Sequence, residues 1–408
     1  MKLKIQKTGK FPGNNKGTEM FIDPNDFQGS DIEKINAAIQ FSIGNGGVVR
    51  IPQRKADENS TRNYWLIDSA ILLPANTTVI LANCRIKLSN SCRDNFFRSA
   101  NCGIGIKEVE EISSIHITGV GTAVLEGADI PRATGDSGKV LGERTFGTDA
   151  GKEGEVQKGD WREIGILFAK VSDFSISNIS IVNSHCWAIS LEYCHHGKIR
   201  DVNFQSRGKR FIEGREVPNL NQDGLDLRRG CHHIIIENIT GSTGDDLIAL
   251  TGLASPVREA GILGSTAMCG STGIPELEEI AYITIRNVVG HCAGGHHIVR
   301  FLNNEGVKMH HIILDGLMDT STGALRDYAV VRIGGAKYGL VPFGNTSSFQ
   351  ISHIQARGKA AILISGTLSE STISDVINWN PDTVPVTVSP DGGIRNVVVE
   401  NARTYAEE

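Results

Sequence analysis

The sequence predicts an all-β protein, a parallel β-helix closed at its N-terminal end by a helix. Three observations carry this. A short pattern of apolar residue, any residue, Asn or Asp, then apolar residue recurs along the chain. The shortest steps between recurrences cluster just above twenty residues, the length of one solenoid coil. The intervening segments are rich in Ile and Val and show no helical periodicity.

Taken in order, the N-terminal stretch MKLKIQKTGKFPGNNKG is basic but lacks the continuous apolar core of a signal peptide. The expectation is a cytoplasmic protein, or a secreted or periplasmic one if a signal has been removed. A helix is expected over residues 30–46. Ser30 and Glu33 form a capping box, Ile32, Ile35, Ile39 and Ile43 share one face, and glycines end the run. The repeat then appears as ISNI at Asn178, IRDV at Asp201, IENI at Asn238, IRNV at Asn287, ILDG at Asp315, ISHI at His353, ISDV at Asp375 and IRNV at Asn396. The steps are 23, 37, 49, 28, 38, 22 and 21 residues, so the longer ones read as one coil plus a loop. Asn suits the bend because it tolerates the left-handed conformation and its amide can bond equivalents in neighbouring coils. A β-sandwich would show alternating apolar and polar strands joined by hairpin signals such as Asn-Gly, and these are largely missing. The whole chain, 1–408, is one solenoid domain, with insertions expected at 124–164, 206–222 and 253–279. Such insertions gather on a binding face.

Composition narrows the function. With 21% charged residues and a net charge of −5, no global footprint for nucleic acid or an anionic membrane is present, so an acidic substrate would need a local basic patch. No apolar run is long enough to span a membrane. Eight cysteines in 408 residues are not a disulfide framework, no Cys/His metal spacing is evident, and no metal or cofactor is expected. Cys194 and Cys231 share the 37-residue step of Asp201 and Asn238 and should stack, unbonded, in adjacent coils.

Residues 221–252, NQDGLDLRRGCHHIIIENITGSTGDDLIALTG, place acid before an apolar strand twice. Asp223 and Asp246 lie 23 residues apart, one coil, and so are expected about 5 Å from each other, with Asp245 beside them. Leu225, Leu227, Ile248 and Leu250 point inward and hold the acids at the sheet edge. Clustered carboxylates repel, which separates a proton donor from a base and suits glycosidic cleavage. A calcium site or a row of solvated turn acids is the plainer alternative. The next coil begins GGHHIVRF at 294–301. If Ile298 matches Ile248, His296 stacks over Asp246. If Val299 and Phe301 are the inward pair, His297 does, and Arg300 faces the cleft. Arg332, between Val331 and Ile333, should face the same groove. Trp187, one coil before Asp223, could stack on a sugar ring or serve as a core-edge aromatic.

At these residues the sequence resembles glycoside hydrolase family 28, the pectin-degrading polygalacturonases and rhamnogalacturonases, which are right-handed parallel β-helices. The family's four ordered motifs look here like NQD at 221–223, GDD at 244–246, GHH at 295–297 and RIG at 332–334. The resemblance implies an inverting hydrolase in which Asp245 is the general acid and Asp223 and Asp246 activate water. His296 would support the site, while Asn221, His297, Arg300, Arg332, Lys337 and Trp187 would bind an acidic oligo- or polysaccharide. Gly334 stands where polygalacturonases carry a lysine that grips galacturonate, so a rhamnogalacturonan-type substrate has equal weight. Arg300, Arg228, Arg229 or Lys337 could restore the charge. The competing functions are a β-helix polysaccharide lyase and a non-catalytic carbohydrate-binding solenoid.

Overall fold

The computed structural model describes residues 21–58, 60–130, 138–140, 156–158, 161–212, 214–219, 221–253, 265–304, 306–322 and 328–405. The N-terminal basic stretch, most of the 124–164 insertion and part of the 253–279 insertion lie outside them. The described residues form two long parallel sheets, one of 12 strands and one of 10, stacked as a parallel β-helix. Each central coil gives a short strand to the smaller sheet and a long one to the larger. Leu225–Arg228 is followed by His232–Thr243, Ile248–Gly252 by Ile280–Cys292, and Val299–Asn303 by Met309–Asp319. Equivalent strands of successive coils pair in parallel.

The repeat builds the core directly. Ile199, Ile236, Ile285, Leu314 and Ile351 fall in one register column and all are buried. Each such side chain contributes on the order of 1.5–3 kcal/mol by leaving water. The long strands are bent by left-handed residues, which Asn, Asp and Gly adopt at least cost. Asn178, Asp201, Asn238, Asn287, His353 and Asp375 all sit at φ between 54° and 57°. Their side chains form a ladder: the Asn238 amide donates to Asp201 Oδ1 at 3.0 Å, and that of Asn287 to Asn238 Oδ1 at 3.2 Å.

Two assignments in the repeat need correction. At the coil of Asp315 the left-handed position is taken by Gly316, and at the last coil by Asn401 instead of Asn396. Asn396 belongs to a second left-handed column at the entry of the long strands, with Asp173, His196, His233, Tyr282, His311, Ser348 and Glu370. Each long strand thus has two bends, and a pattern written for one of them occasionally matches the other.

The N-terminal helix spans Asp31–Ile43, with the capping box present: Ser30 N–H donates to Glu33 Oε2 at 2.8 Å. Ile32, Ile35, Ala38 and Ile39 are buried, whereas Ile43, expected on the same face, is exposed at the frayed end. Among the described residues no helix is long and apolar enough to cross a membrane. The eight cysteines are buried and none is in a disulfide, and Cys194 lies in register with Cys231.

Candidate active site

The site forms at the N-terminal edge of the smaller sheet. Its strands stack Leu225 on Ile248, Ile248 on Val299 and Val299 on Val331. Two residues upstream this register aligns Asp223, Asp246, His297 and Ala329. The backbone holds the alignment, with Gly224 N–H donating to Asp246 O at 3.0 Å and Leu247 N–H to His297 O at 3.1 Å. Of the two readings of GGHHIVRF, the second is realised: Val299 and Phe301 point inward and His297 sits over Asp246. Arg300 faces out of the sheet beside Arg332. It is nonetheless only 7% exposed.

Asp245 is set by local sequence. Gly244 and Asp245 N–H groups both donate to Gln222 O, and Thr243 Oγ1 donates to Asp245 O at 2.6 Å. Only glycine fits at 244, because a Cβ there would lie 2.4 Å from Gly208 Cα. Gly208 leads into the antiparallel hairpin of Lys209–Ile212 and Arg215–Pro218, which is what the 206–222 insertion becomes. Asp245 Oδ1 accepts from Asp246 N–H at 3.0 Å. Oxygens of Asp223, Asp245 and Asp246 lie within 4.8 Å of one another.

Burial, and then the charge of Asp245, push the Asp246 carboxyl up to about 8, against the opposing pull of Arg300, the His297 N–H and Arg332. Two interacting acids titrate as a pair. The Asp245–Asp246 pair therefore keeps one proton at neutral pH, with Asp246 the favoured holder. Burial and the Arg300 charge lower His297 to about 3, so its ring is neutral. Its Nδ1 lies 2.9 Å from Ala329 O, which can only accept, so Nδ1 carries the proton and Nε2 offers a lone pair to Arg332 Nη1 at 3.5 Å. His297 N–H also donates to Asp246 Oδ1 at 3.1 Å. His296 stands at the rim, with Nδ1 3.7 Å from Asp245 Oδ1. Both histidines thus meet the acids, from different sides.

With that geometry in hand, residues 96–296 match the sequence model of glycosyl hydrolases family 28. That segment, just under half of the chain, carries the sequence pattern of the family. The match ends before Arg300 and Arg332. The structure is similar to an exopolygalacturonase from Thermotoga maritima, with a TM-score of 0.53 at 14% identity over 94% of this chain and 92% of that one. It is also similar to a double-mutant tailspike protein of E. coli bacteriophage HK620, at 0.50 and 12% over 92% and 65%. The polygalacturonase of Erwinia carotovora ssp. carotovora follows at 0.48 and 14% over 99% and 98%. At these identities the likeness is one of fold. No curated protein matches the chain.

Several expected binding residues lie elsewhere. Trp187 is in register with Asp223 but packs in a buried cluster with Trp161 and Cys186, its ring covered by the Arg228 guanidinium at 5.1 Å. It presents no open face to a sugar. Arg228 donates to Thr266 O at 2.7 Å and Arg229 pairs with Glu278 at 3.0 Å, so neither supplies charge to the acids. Lys337 sits exposed on a turn, its Nζ 5.6 Å above the Tyr338 ring. Asn221 occupies a left-handed bend, φ 51°, just ahead of Asp223. The lysine missing at 334 has a steric cause: Gly334 has φ 74°, and a Cβ would meet Gly366 Cα at 2.5 Å.

Three residues escaped sequence reasoning. Tyr328 faces Arg332 and Tyr338 faces Arg300, each with the guanidinium 5.8 Å from the ring centre, and both rings are exposed. Their closeness in sequence to Arg332 and Lys337 was the available signal. Asp226 lies in the same outward column as Arg300 and Arg332, as its place between inward Leu225 and Leu227 implies. Further along the coils is a cleft of about 300 Å³ lined by Met318, Asp319, Gln355, Arg357 and Trp379.

Among the described residues two groups have the donors to hold a metal. One is the acid trio, where the charges of Arg300 and Arg332 beside Asp246 oppose a cation. The other is His195, His196 and His232, which no local spacing revealed because separate coils contribute them.

Proposed function

We propose that this chain hydrolyses a glycosidic bond in an acidic, pectic polysaccharide or oligosaccharide, of galacturonate or rhamnogalacturonan type. The observation that carries the reading is the convergence of three carboxylates from two coils beside two arginines and a neutral histidine. A pair that retains one proton near neutral pH can deliver it to a leaving oxygen. In this reading Asp245, the member nearer the rim, passes the shared proton to the glycosidic oxygen. Asp223 and the deprotonated Asp246 then hold and activate water. His297 positions Asp246 through its N–H and Arg332 through Nε2, and His296 flanks the leaving-group side. Arg300 and Arg332 meet a sugar carboxylate, and Tyr328 and Tyr338 wall the groove. That the Thermotoga maritima neighbour is an exopolygalacturonase agrees with a uronate substrate.

The cluster is tighter than the roughly 6.5–9.5 Å that inverting enzymes generally keep between acid and base, so the stereochemical outcome is a direct test. Pectic fragments are incubated with wild type and Asp245→Asn, and the first product is read for size and anomeric configuration. Hydrolysis with inversion, reduced by about 10³-fold or more in the variant, supports the reading. Unchanged turnover by Asp245→Asn removes it, and an unsaturated, ultraviolet-absorbing product would mean a lyase.

A further inference from the structure

At the opposite end of the smaller sheet's strands from the acids, the entries of the long strands carry three His-His pairs: His195–His196, His232–His233 and His310–His311. Parallel register stacks the first two pairs directly. The His195 and His232 rings are parallel within 4° at 4.7 Å, and those of His196 and His233 within 8° at 5.0 Å. Tyr282 continues the second column between His233 and His311. Within each pair the two rings are nearly perpendicular and their Nδ1 atoms face each other, at 2.8 Å in the first two pairs and 2.6 Å in the third. Facing imidazole nitrogens at that separation share at most one proton, and a metal ion can take that proton's place between them.

We propose that His195, His196 and His232 bind a divalent transition-metal ion at the surface of the solenoid, with His233 flanking it. One nitrogen from each of the three lies within 4.8 Å of the others, drawn from two coils. A tetrahedral ion with bonds of about 2.0–2.1 Å needs the Nδ1 pair to part by roughly half an ångström and the His232 ring to turn out of its stack on His195, since parallel rings cannot aim in-plane lone pairs at one ion; all three side chains are at least partly exposed. A second feature favours this use of Nδ1. His195 Nε2 lies 3.4 Å from Glu111 Oε2, the outer carboxylate that orients a ligating imidazole. Donors that are all imidazole select Zn²⁺, Ni²⁺ or Cu²⁺ over Ca²⁺ or Mg²⁺. An ion here would clip neighbouring coils together.

The test is Zn²⁺ titration of the full chain by calorimetry, with thermal unfolding in parallel. The partner variant is His195→Ser/His196→Asn, since the same two positions carry Ser172–Asp173 and Ser347–Ser348 in other coils and Asn tolerates the left-handed bend. The expected result is Zn²⁺ binding by wild type that raises the unfolding temperature. Affinity should fall at least tenfold in the variant and stay unchanged in Asp223→Asn, while Ca²⁺ does not bind there. Absence of binding by wild type at 100-fold molar excess, affinity in the variant within twofold of wild type, or loss of the site in Asp223→Asn would each overturn the proposal.

Discussion

At the scale of single residues, Asp246 links chemistry to stability. Its carboxyl, raised to about 8 in the folded chain, is an ordinary carboxyl near 3.8 once unfolded. Between those values the folded state holds a proton that the unfolded chain has released, so this group's contribution to stability falls as pH rises through the window and levels off above about 8. Asp246→Asn mimics the protonated form and still accepts from His297 N–H. The variant and wild type should therefore unfold at similar temperatures at about pH 3.5, below the unfolded value, and the variant should be more stable by a few degrees at pH 9. A difference that does not change with pH would contradict the raised value. Activity has the same root: if the shared proton is the catalytic one, the rate falls as pH rises through about 8. Arg300 supports a second expectation. If, as proposed, its buried guanidinium meets a sugar carboxylate, Arg300→Leu should raise KM for a uronate oligosaccharide about tenfold, consistent with a charge-assisted hydrogen bond of about 1.5–3 kcal/mol. The methyl-esterified substrate should change by less than about threefold. Equal losses on both would assign Arg300 to packing.

At the scale of elements, the coil unit and the meeting of Asp223 with Asp246 were legible because strand register obeys a spacing that the sequence displays. The His register was not legible. GGHHIVRF fits the sheet in two ways that differ by one residue, and side-chain alternation alone does not choose between Ile298 with Arg300 and Val299 with Phe301 as the inward pair. Burying Val299 and Phe301 while leaving Arg300 on the groove side decides it. Asn396 was misplaced because each long strand turns left-handed twice, and Asp315 by one residue because the bend there falls on Gly316. Trp187 was read by its coil position, which is right, but what covers it comes from Arg228 and from distant chain. The absent lysine illustrates how an element constrains a motif. Gly334→Lys places a side chain at φ 74° and against Gly366, so it should destabilise by about 2 kcal/mol or more and lower activity instead of restoring grip on galacturonate. Urea unfolding of the variant checks this, and a stable, more active protein would show that Gly366 yields.

At the scale of the whole molecule, stacked coils contact mainly their neighbours, so stability is local and ends matter. The helix Asp31–Ile43 covers the first coils, with Ile35 and Ile39 fully buried against them. At the other end the last described long strand, Gly393–Thr404, pairs on one side only, and Val398 and Val399 are exposed. Amide exchange should therefore be fastest in Gly393–Thr404 and slowest in His232–Thr243 and Ile280–Cys292, which are paired on both sides. Ile35→Ala separates local from global coupling. Truncating this buried side chain should cost about 2–4 kcal/mol. In a quasi-one-dimensional solenoid that loss accelerates exchange in the coils beneath the helix, Val48–Pro52 and Trp65–Ile67, because their cover loosens first. Exchange in Leu225–Arg228 and Ile248–Gly252, several coils away, should stay within about twofold of wild type, and turnover should be preserved with it. Uniform acceleration across all strands would show instead that the solenoid opens as one cooperative unit, and that the edge carrying Asp223, Asp245 and Asp246 depends on the far cap for its geometry.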